Sequence, residues 1–416
     1  MCLRPTARVV SEGDVMDGRP SLCVTIVAMV LIAVACSAPA TPATPAPLVS
    51  PAARDPATAP PSSPASPPAA TTSPATAPAG AGIDGLVALL EDLVARDALS
   101  GVALIARGNE VAWETAAGLA NRESNLPNRM DTKLNLGSMN KMFTAVAILQ
   151  LVEARKVALD DTIADHLPDY PNGEVAGSVT IHQLLTHTSG LGDVFTAAFG
   201  ADPHAYRSNA DYLPLFVDEP LLFAPGSGWS YSNAGYVVLG LIIERVSGQT
   251  YDAYVRERVF EPSGMEDTAA HDVEDADPDL AIGYTTLDIE GNELGVLRAN
   301  TALLPGRGFA AGGGYSTAGD LLRFRTALLS NVLLGPESTA LLLTGKVDMS
   351  ERARYAYGFI DRTDAGQRAV GHTGGAPGIC SFLWTYPETG WTAIVLSNSD
   401  GGCMPVLQHL RDSPLR

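Results

Sequence analysis

Fifteen of the 30 prolines fall within the first 78 residues, and that asymmetry divides the chain in two. A stretch so rich in proline loses backbone donors and favours extended conformations, so it does not build helices or central strands. Charge divides at the same place. Residues 1–82 carry four arginines and four acidic residues, so the whole formal charge of −19 resides on residues 83–416. Those 334 residues are enough to bury roughly three quarters of their unfolded surface in one body. An acidic body without a basic run excludes nucleic acid as a partner, because phosphate neutralisation needs clustered lysine and arginine. Its frequent polar breaks exclude a polytopic membrane protein. Lysine is scarce throughout, at positions 133, 141, 156 and 346 only.

The leader has its own pattern. Residues 21–35 are almost wholly apolar. They are too few for a bilayer span of about 20 residues and fit the core of a secretory signal over residues 1–36. Met16 offers a second start, which would leave Arg19 as the only base before the apolar run. Ala33-Val34-Ala35-Cys36 resembles a lipoprotein processing site, at which Cys36 would be lipidated. Residues 37–82 hold 13 prolines among Ala, Thr and Ser and read as an extended tether. The expectation is an exported protein, either anchored by lipid at Cys36 or released outside the cytoplasmic membrane.

Within the body, residues 84–97 and 139–155 carry apolar residues at helical spacing, and 181–187 and 234–247 also read as helices. Strand patterns flank Gly108-Asn109 near the start. They return at 355–361, 367–372, 379–386 and 391–398 near the end. The expected fold is therefore α/β (α+β): one antiparallel sheet built from both chain ends and flanked by helices. Residues 83–140 and 300–416 would form that part, and 141–299 a mostly helical insert. Only Cys380 and Cys403 remain in the body. A disulfide between them and a pair of free buried thiols are both open readings.

One serine stands apart. Ser138-Met139-Asn140-Lys141 is the only place where a lysine has serine three residues before it. At that spacing on a helix the two side chains share a face. Burial would disfavour the ammonium form and leave a neutral amine able to take the serine proton. Ser138 would also stand at a helix N-terminus, where free N–H groups can stabilise an oxyanion. Tyr231-Ser232-Asn233 follows in a Pro/Gly turn before a helix, and His372-Thr373-Gly374-Gly375 ends a strand with glycines that admit a substrate backbone. No serine has glycine at both −2 and +2, and no H-E-x-x-H occurs. The nucleophile elbow and the zinc-hydrolase signature are thus both missing, and neither metal nor cofactor is expected.

These three motifs, in this order, resemble those of the serine β-lactamases and penicillin-binding enzymes. Leu184-Leu185-Thr186-His187-Thr188-Ser189-Gly190-Leu191, Tyr231-Ser232-Asn233-Ala234-Gly235-Tyr236 and Gly312-Gly313-Gly314-Tyr315-Ser316-Thr317 are similar to the group related to class C β-lactamases, over about residues 83–405. That group includes D-alanyl-D-alanine carboxypeptidases, D-aminopeptidases and esterases. The resemblance implies a β-lactamase/transpeptidase-like fold, with Ser138 as acylated nucleophile and Lys141 and Tyr231 sharing acid and base work. Asn233 would hold the lysine and the substrate amide. His372 and Thr373 would face substrate, and the N–H groups of Ser138 and Gly375, beside Gly374, would form the oxyanion hole. Class C β-lactamases usually have lysine where this chain has His372, which leans the expectation toward amide or ester substrates over β-lactams. The expected partner is a small molecule or peptide (an acyl-D-alanine, an ester or a β-lactam), and the expected state a monomer. The alternative is a catalytically silent penicillin- or peptidoglycan-binding envelope protein. His187 reads as a structural hydrogen-bonding residue, and Asp320 as helix support.

Overall fold

The computed structural model describes residues 83–275, 277 and 279–416. The signal, Cys36 and the tether lie outside the described residues. Eight strands form one fully antiparallel sheet. They are β1 (Gly101–Arg107), β2 (Glu110–Ala117), β3 (Val347–Ser350), β4 (Ala353–Tyr355), β5 (Ile360–Asp364), β6 (Gln367–Ala376), β7 (Ile379–Tyr386) and β8 (Trp391–Ser397). Their order is β2-β1-β8-β7-β6-β5-β4-β3, so the first strand of the body lies beside the last. Gly101 pairs with Ser397 and Arg107 with Trp391, which closes the two chain ends on each other.

Strand alternation sends successive side chains to opposite faces of this sheet. Ala103, Ile105, Phe382, Trp384, Ala393 and Val395 point to an outer core. There α1 (Asp84–Ala95) and α5 (Met404–Asp412) cover them with Leu86, Leu90, Leu93, Val406, Leu407 and Leu410. Val102, Leu104, Leu383, Ile394 and Leu396 point the other way, into the larger core. At the end of the sheet Cys380 and Cys403 are joined in a disulfide with Cα atoms 5.4 Å apart. It ties the start of β7 to the residue preceding α5, which decides between the two readings left open by the sequence.

Beneath the inner face runs α2 (Asn140–Glu153), buried on nearly every side from Asn140 to Leu149. Its residues are apolar around the whole circumference, as in a helix that traverses a core rather than lying on a surface. Packed near it are α3 (Asn233–Ser247) and α4 (Ala318–Leu329), the former started by a Ser232 cap and stopped at Gly248 in a left-handed conformation. The region between α2 and α4 is a series of mostly short helices joined by long loops, and it carries a two-stranded hairpin pairing Tyr284–Leu287 with Glu293–Ala299. One expected strand differs. Residues 355–361 form not one strand but the turn of the β4–β5 hairpin, where Tyr355 pairs with Ile360 and the Ala356 N–H donates to the Phe359 carbonyl at 2.8 Å.

Candidate active site

Ser138 lies in a single 3₁₀ turn, Gly137–Met139, that runs directly into α2. Gly137 there has φ +51°, and a side chain on it would press against the Gly375 amide nitrogen 3.0 Å away. The adjacent Gly374 is equally constrained, because a Cβ would collide with the Leu136 carbonyl. The two glycine positions thus let β6 lie directly against the turn that carries Ser138. Ser138 itself remains partly exposed, and the lysine three residues on is fully buried.

Lys141 Nζ has three oxygen neighbours: Ala311 O at 2.6 Å, Asn233 Oδ1 at 2.7 Å and Ser138 Oγ at 3.2 Å. Burial drives its pKa down from 10.5 to about 7, opposed by the charge of Asp193. A neutral amine has two N–H donors and one lone pair. The carbonyl and the amide oxygen are acceptors only and take the two donors. The lone pair is left facing the serine hydroxyl, which is the arrangement a general base requires. Tyr231 is a second proton-bearing group. Its ring centre lies 4.8 Å from Lys141 Nζ. Burial raises its pKa strongly, and a hydrogen bond with Ser138 opposes that rise. The phenol therefore stays protonated at neutral pH, while the amine gives up its proton far more readily than an ordinary lysine.

Two segments hold these groups. The loop that supplies Ala311 is stapled to α2. Thr144 Oγ1 donates to Ala310 O at 2.7 Å, Asn140 Nδ2 donates to Phe309 O at 3.4 Å, and the Gly314 N–H donates to Asn140 Oδ1 at 3.2 Å. The segment 187–195 clasps Tyr231-Ser232-Asn233. The Ser232 N–H donates to His187 Nδ1 at 3.1 Å, Ser232 Oγ donates to Gly192 O at 2.7 Å, and Asn233 Nδ2 donates to both carboxylate oxygens of Asp193 at 3.0 Å. Ser232 also accepts from the Gly235 N–H, so the helix cap and the site element are one structure.

The structure brings Ser138, Lys141, Tyr231 and Asn233 together and lays Gly374 and Gly375 beside them. His372 it places differently from the expectation of a substrate-facing side chain. The imidazole is 2% exposed, with Nδ1 on the Thr373 carbonyl and Nε2 on the Tyr355 hydroxyl at 3.0 Å. Burial and the nearby Lys141 push its pKa down to about 3. It is a neutral support behind Tyr231, not a cation for a substrate carboxylate. Thr373 is half-buried and pairs with Phe382 of the outer core; among the described residues its side chain makes no hydrogen bond.

His187 is buried and packed at a tilt between Tyr231 and Tyr355, with ring centres 4.3 and 4.4 Å away. Asp320 is buried at the start of α4, accepting from the Asp267 N–H and Thr268 Oγ1. Among the described residues no cluster of three or more His, Cys, Asp or Glu side chains is arranged for a metal ion.

Two functional groups escaped the sequence reading. The Ala311 carbonyl belongs to the backbone and has no residue signature. Asp193 does have one, a carboxylate after the Gly190-Leu191-Gly192 turn that ends the Thr186–Leu191 motif.

A model of the Beta-lactamase family matches residues 86–412. Esterase EstB of Burkholderia gladioli is 35% identical over 272 residues, spanning 59% of this chain and 69% of the esterase. The crystal structure of a penicillin binding protein from Bacillus halodurans aligns with a TM-score of 0.71 and 35% identity, over 79% of this chain and 98% of that one. D-amino acid amidase from Ochrobactrum anthropi SV3, complexed with D-phenylalanine, aligns with a TM-score of 0.68 and 26% identity, again over 79% and 98%.

Proposed function

The chain belongs to the Beta-lactamase family, a family of serine hydrolases, and from that premise we propose that it hydrolyses an amide or ester through an acyl-enzyme on Ser138. The observation that carries the proposal is Ser138 Oγ standing 3.2 Å from a buried Lys141 Nζ whose two closer neighbours, Ala311 O and Asn233 Oδ1, can only accept, which leaves the lone pair of the neutral amine for the serine. Lys141 takes the hydroxyl proton as the serine oxygen attacks the acyl carbon. The backbone N–H groups of Ser138 and Gly375, on adjacent segments, receive the developing oxyanion. Tyr231, still protonated, gives a proton to the leaving nitrogen or oxygen. The Lys141 ammonium gives the proton it took from serine to the Tyr231 phenolate. The amine, neutral again, takes a proton from the water that attacks the acyl-enzyme and passes it to Ser138 as the acid leaves.

Amide and ester substrates are favoured over β-lactams because His372 is neutral and enclosed, so it offers no charge to the carboxylate that penicillins carry. An esterase and a D-amino acid amidase among the relatives support the same direction. The test is a panel of nitrocefin, p-nitrophenyl acetate and butyrate, and a D-Ala-D-Ala peptide, together with labelling by a fluorescent fluorophosphonate. Turnover of the uncharged esters is expected to exceed that of nitrocefin and of the peptide, both of which carry a carboxylate, and Ser138→Ala to abolish both turnover and labelling. Persistent labelling of that variant would show a different nucleophile.

We also propose that the enzyme works outside the cytoplasmic membrane. The apolar run 21–35 ending at Cys36 supports this, as does the Cys380–Cys403 disulfide, a bond that persists in oxidising compartments. Cys36→Ser is expected to move the protein from the membrane to the soluble fraction; unchanged membrane association would exclude lipid at Cys36 as the anchor.

A further inference from the structure

Asp193 lies outside the three motifs, yet its carboxylate meets the one side chain whose orientation the base depends on. Asn233 lies between two partners, and an amide can face either way because its oxygen and nitrogen ends are similar in shape. Lys141 does not settle the choice. A neutral amine can donate to the amide oxygen or accept from the amide N–H. Asp193 does settle it, because an ionised carboxylate only accepts. Both of its oxygens take the Asn233 Nδ2 group at 3.0 Å, which turns Oδ1 toward Lys141 at 2.7 Å. The carboxylate is itself fixed, with Oδ1 accepting from the Val194 N–H at 2.7 Å and the Phe195 N–H at 3.2 Å.

The opposite orientation would be damaging for a specific reason. It would aim an amide N–H at the amine lone pair and occupy the electrons that Ser138 needs. Ala311 O holds only one of the two amine hydrogens. The second must go to Asn233 for the lone pair to be left facing serine.

We propose that Asp193 is a positioning residue for the acylation step: it locks the Asn233 amide in the one orientation that leaves the Lys141 lone pair on Ser138. The inference rests on the acyl-enzyme reading above. It adds a second consequence, because the carboxylate is the negative charge nearest the base. The other titratable groups around Lys141 are Ser138, Tyr231 and Tyr236 (ring centres 4.8 and 5.4 Å from Nζ), His187 and His372. Burial keeps both imidazoles uncharged and both phenols protonated at neutral pH. Removing Asp193 thus removes the one charge that favours protonated Lys141.

The test is the rate of Ser138 acylation by a fluorophosphonate, followed from pH 5 to 9 on the full chain and two variants. Asp193→Ala is expected to acylate about 10- to 100-fold more slowly, the loss typical of removing a partner that orients a site group. Asp193→Asn keeps the shape and one acceptor oxygen. It is expected to lose less rate and to move the acidic limb of the profile to lower pH. A residue with only a structural role would reduce soluble yield or stability and leave that limb in place. Near-normal rates in Asp193→Ala, or an unmoved limb in Asp193→Asn, would overturn the proposal while leaving the acyl-enzyme reading intact. Failure of the unmodified chain to label at all would overturn both.

Discussion

Two cations are buried on opposite faces of the same sheet, and the protein treats them in opposite ways. On the inner face Lys141 has three neutral oxygens around Nζ, and Asp193, the carboxylate whose charge it feels, makes no contact with it but hydrogen-bonds Asn233. On the outer face Arg362 of β5 meets Asp364 at 2.7 Å, and its guanidinium lies 3.6 Å from the centre of the Trp384 ring. Both sites are dry enough to penalise charge. Burial lowers the pKa of Lys141 to about 7 and also lowers that of Arg362. The difference lies in the compensation. A carboxylate in contact and an aromatic face keep the guanidinium charged, and arginine does not lose its proton in proteins. An amine given only neutral acceptors loses most of the free energy that holds its proton. Burial therefore supplies the reactivity, and withholding a direct counter-charge preserves it.

The largest effect should come from giving the inner site a cation of the outer kind. Lys141→Arg puts a permanent charge where the base must be neutral. Hydrolysis of p-nitrophenyl butyrate is expected to fall by about 10²–10⁴-fold in kcat/KM, the range that general-base catalysis supplies. A loss below tenfold would mean that another group takes the serine proton. The reverse intervention acts on stability. Arg362→Met leaves Asp364 buried without its cation, a change that costs about 3–5 kcal/mol when one partner of a buried pair is removed. Asp364 is already raised above the usual carboxyl value, because burial outweighs the attraction of Arg362. Without Arg362 it rises further. The deficit is then greatest at neutral pH and shrinks as acid protonates the group. Urea unfolding at pH 7 and pH 5 reads this directly, and kcat/KM should stay within about twofold. A pH-independent loss would show that packing on Trp384, and not the ion pair, carries the effect.

How far each site is legible in the sequence follows from the same contrast. Ser138 and Lys141 are three residues apart where a 3₁₀ turn runs into α2, so their meeting follows from local helical spacing. The sheet was legible from strand patterns at both chain ends, since alternation and turn residues are local. The compensation is not local. Asn233 comes from 92 residues away and Ala311 from 170, and the latter contributes only a backbone oxygen. His372 shows the converse error. Its place in a motif suggested contact with substrate, whereas Tyr355, from a hairpin misread as one strand, encloses it. The Arg362–Asp364 pair left no trace, because a charged residue in an edge-side strand reads as solvent-facing until a short last helix is known to cover it.

The smallest expected effect discriminates the two cations without any substitution. If Lys141 must be neutral to act, kcat/KM follows the fraction of unprotonated amine. That fraction falls as pH drops through about 7, so the rate at pH 6 should be about tenfold below its alkaline plateau, a difference near 1.4 kcal/mol. The histidines nearest the base do not confuse the reading. His372 is pushed down to about 3, outside the window from pH 5 to 8, and His187 is held well below its ordinary value, both chiefly by burial. Tyr231 is raised in the other direction and stays protonated across the window. Arg362 cannot contribute, because it keeps its proton throughout. A single acidic limb near neutrality, measured with an ester that does not itself ionise, therefore belongs to Lys141. A rate that stays flat from pH 5 to 8 would mean the amine is charged or neutral across the whole range, and the contrast between a compensated and an uncompensated buried cation would fail at the site where it matters for chemistry.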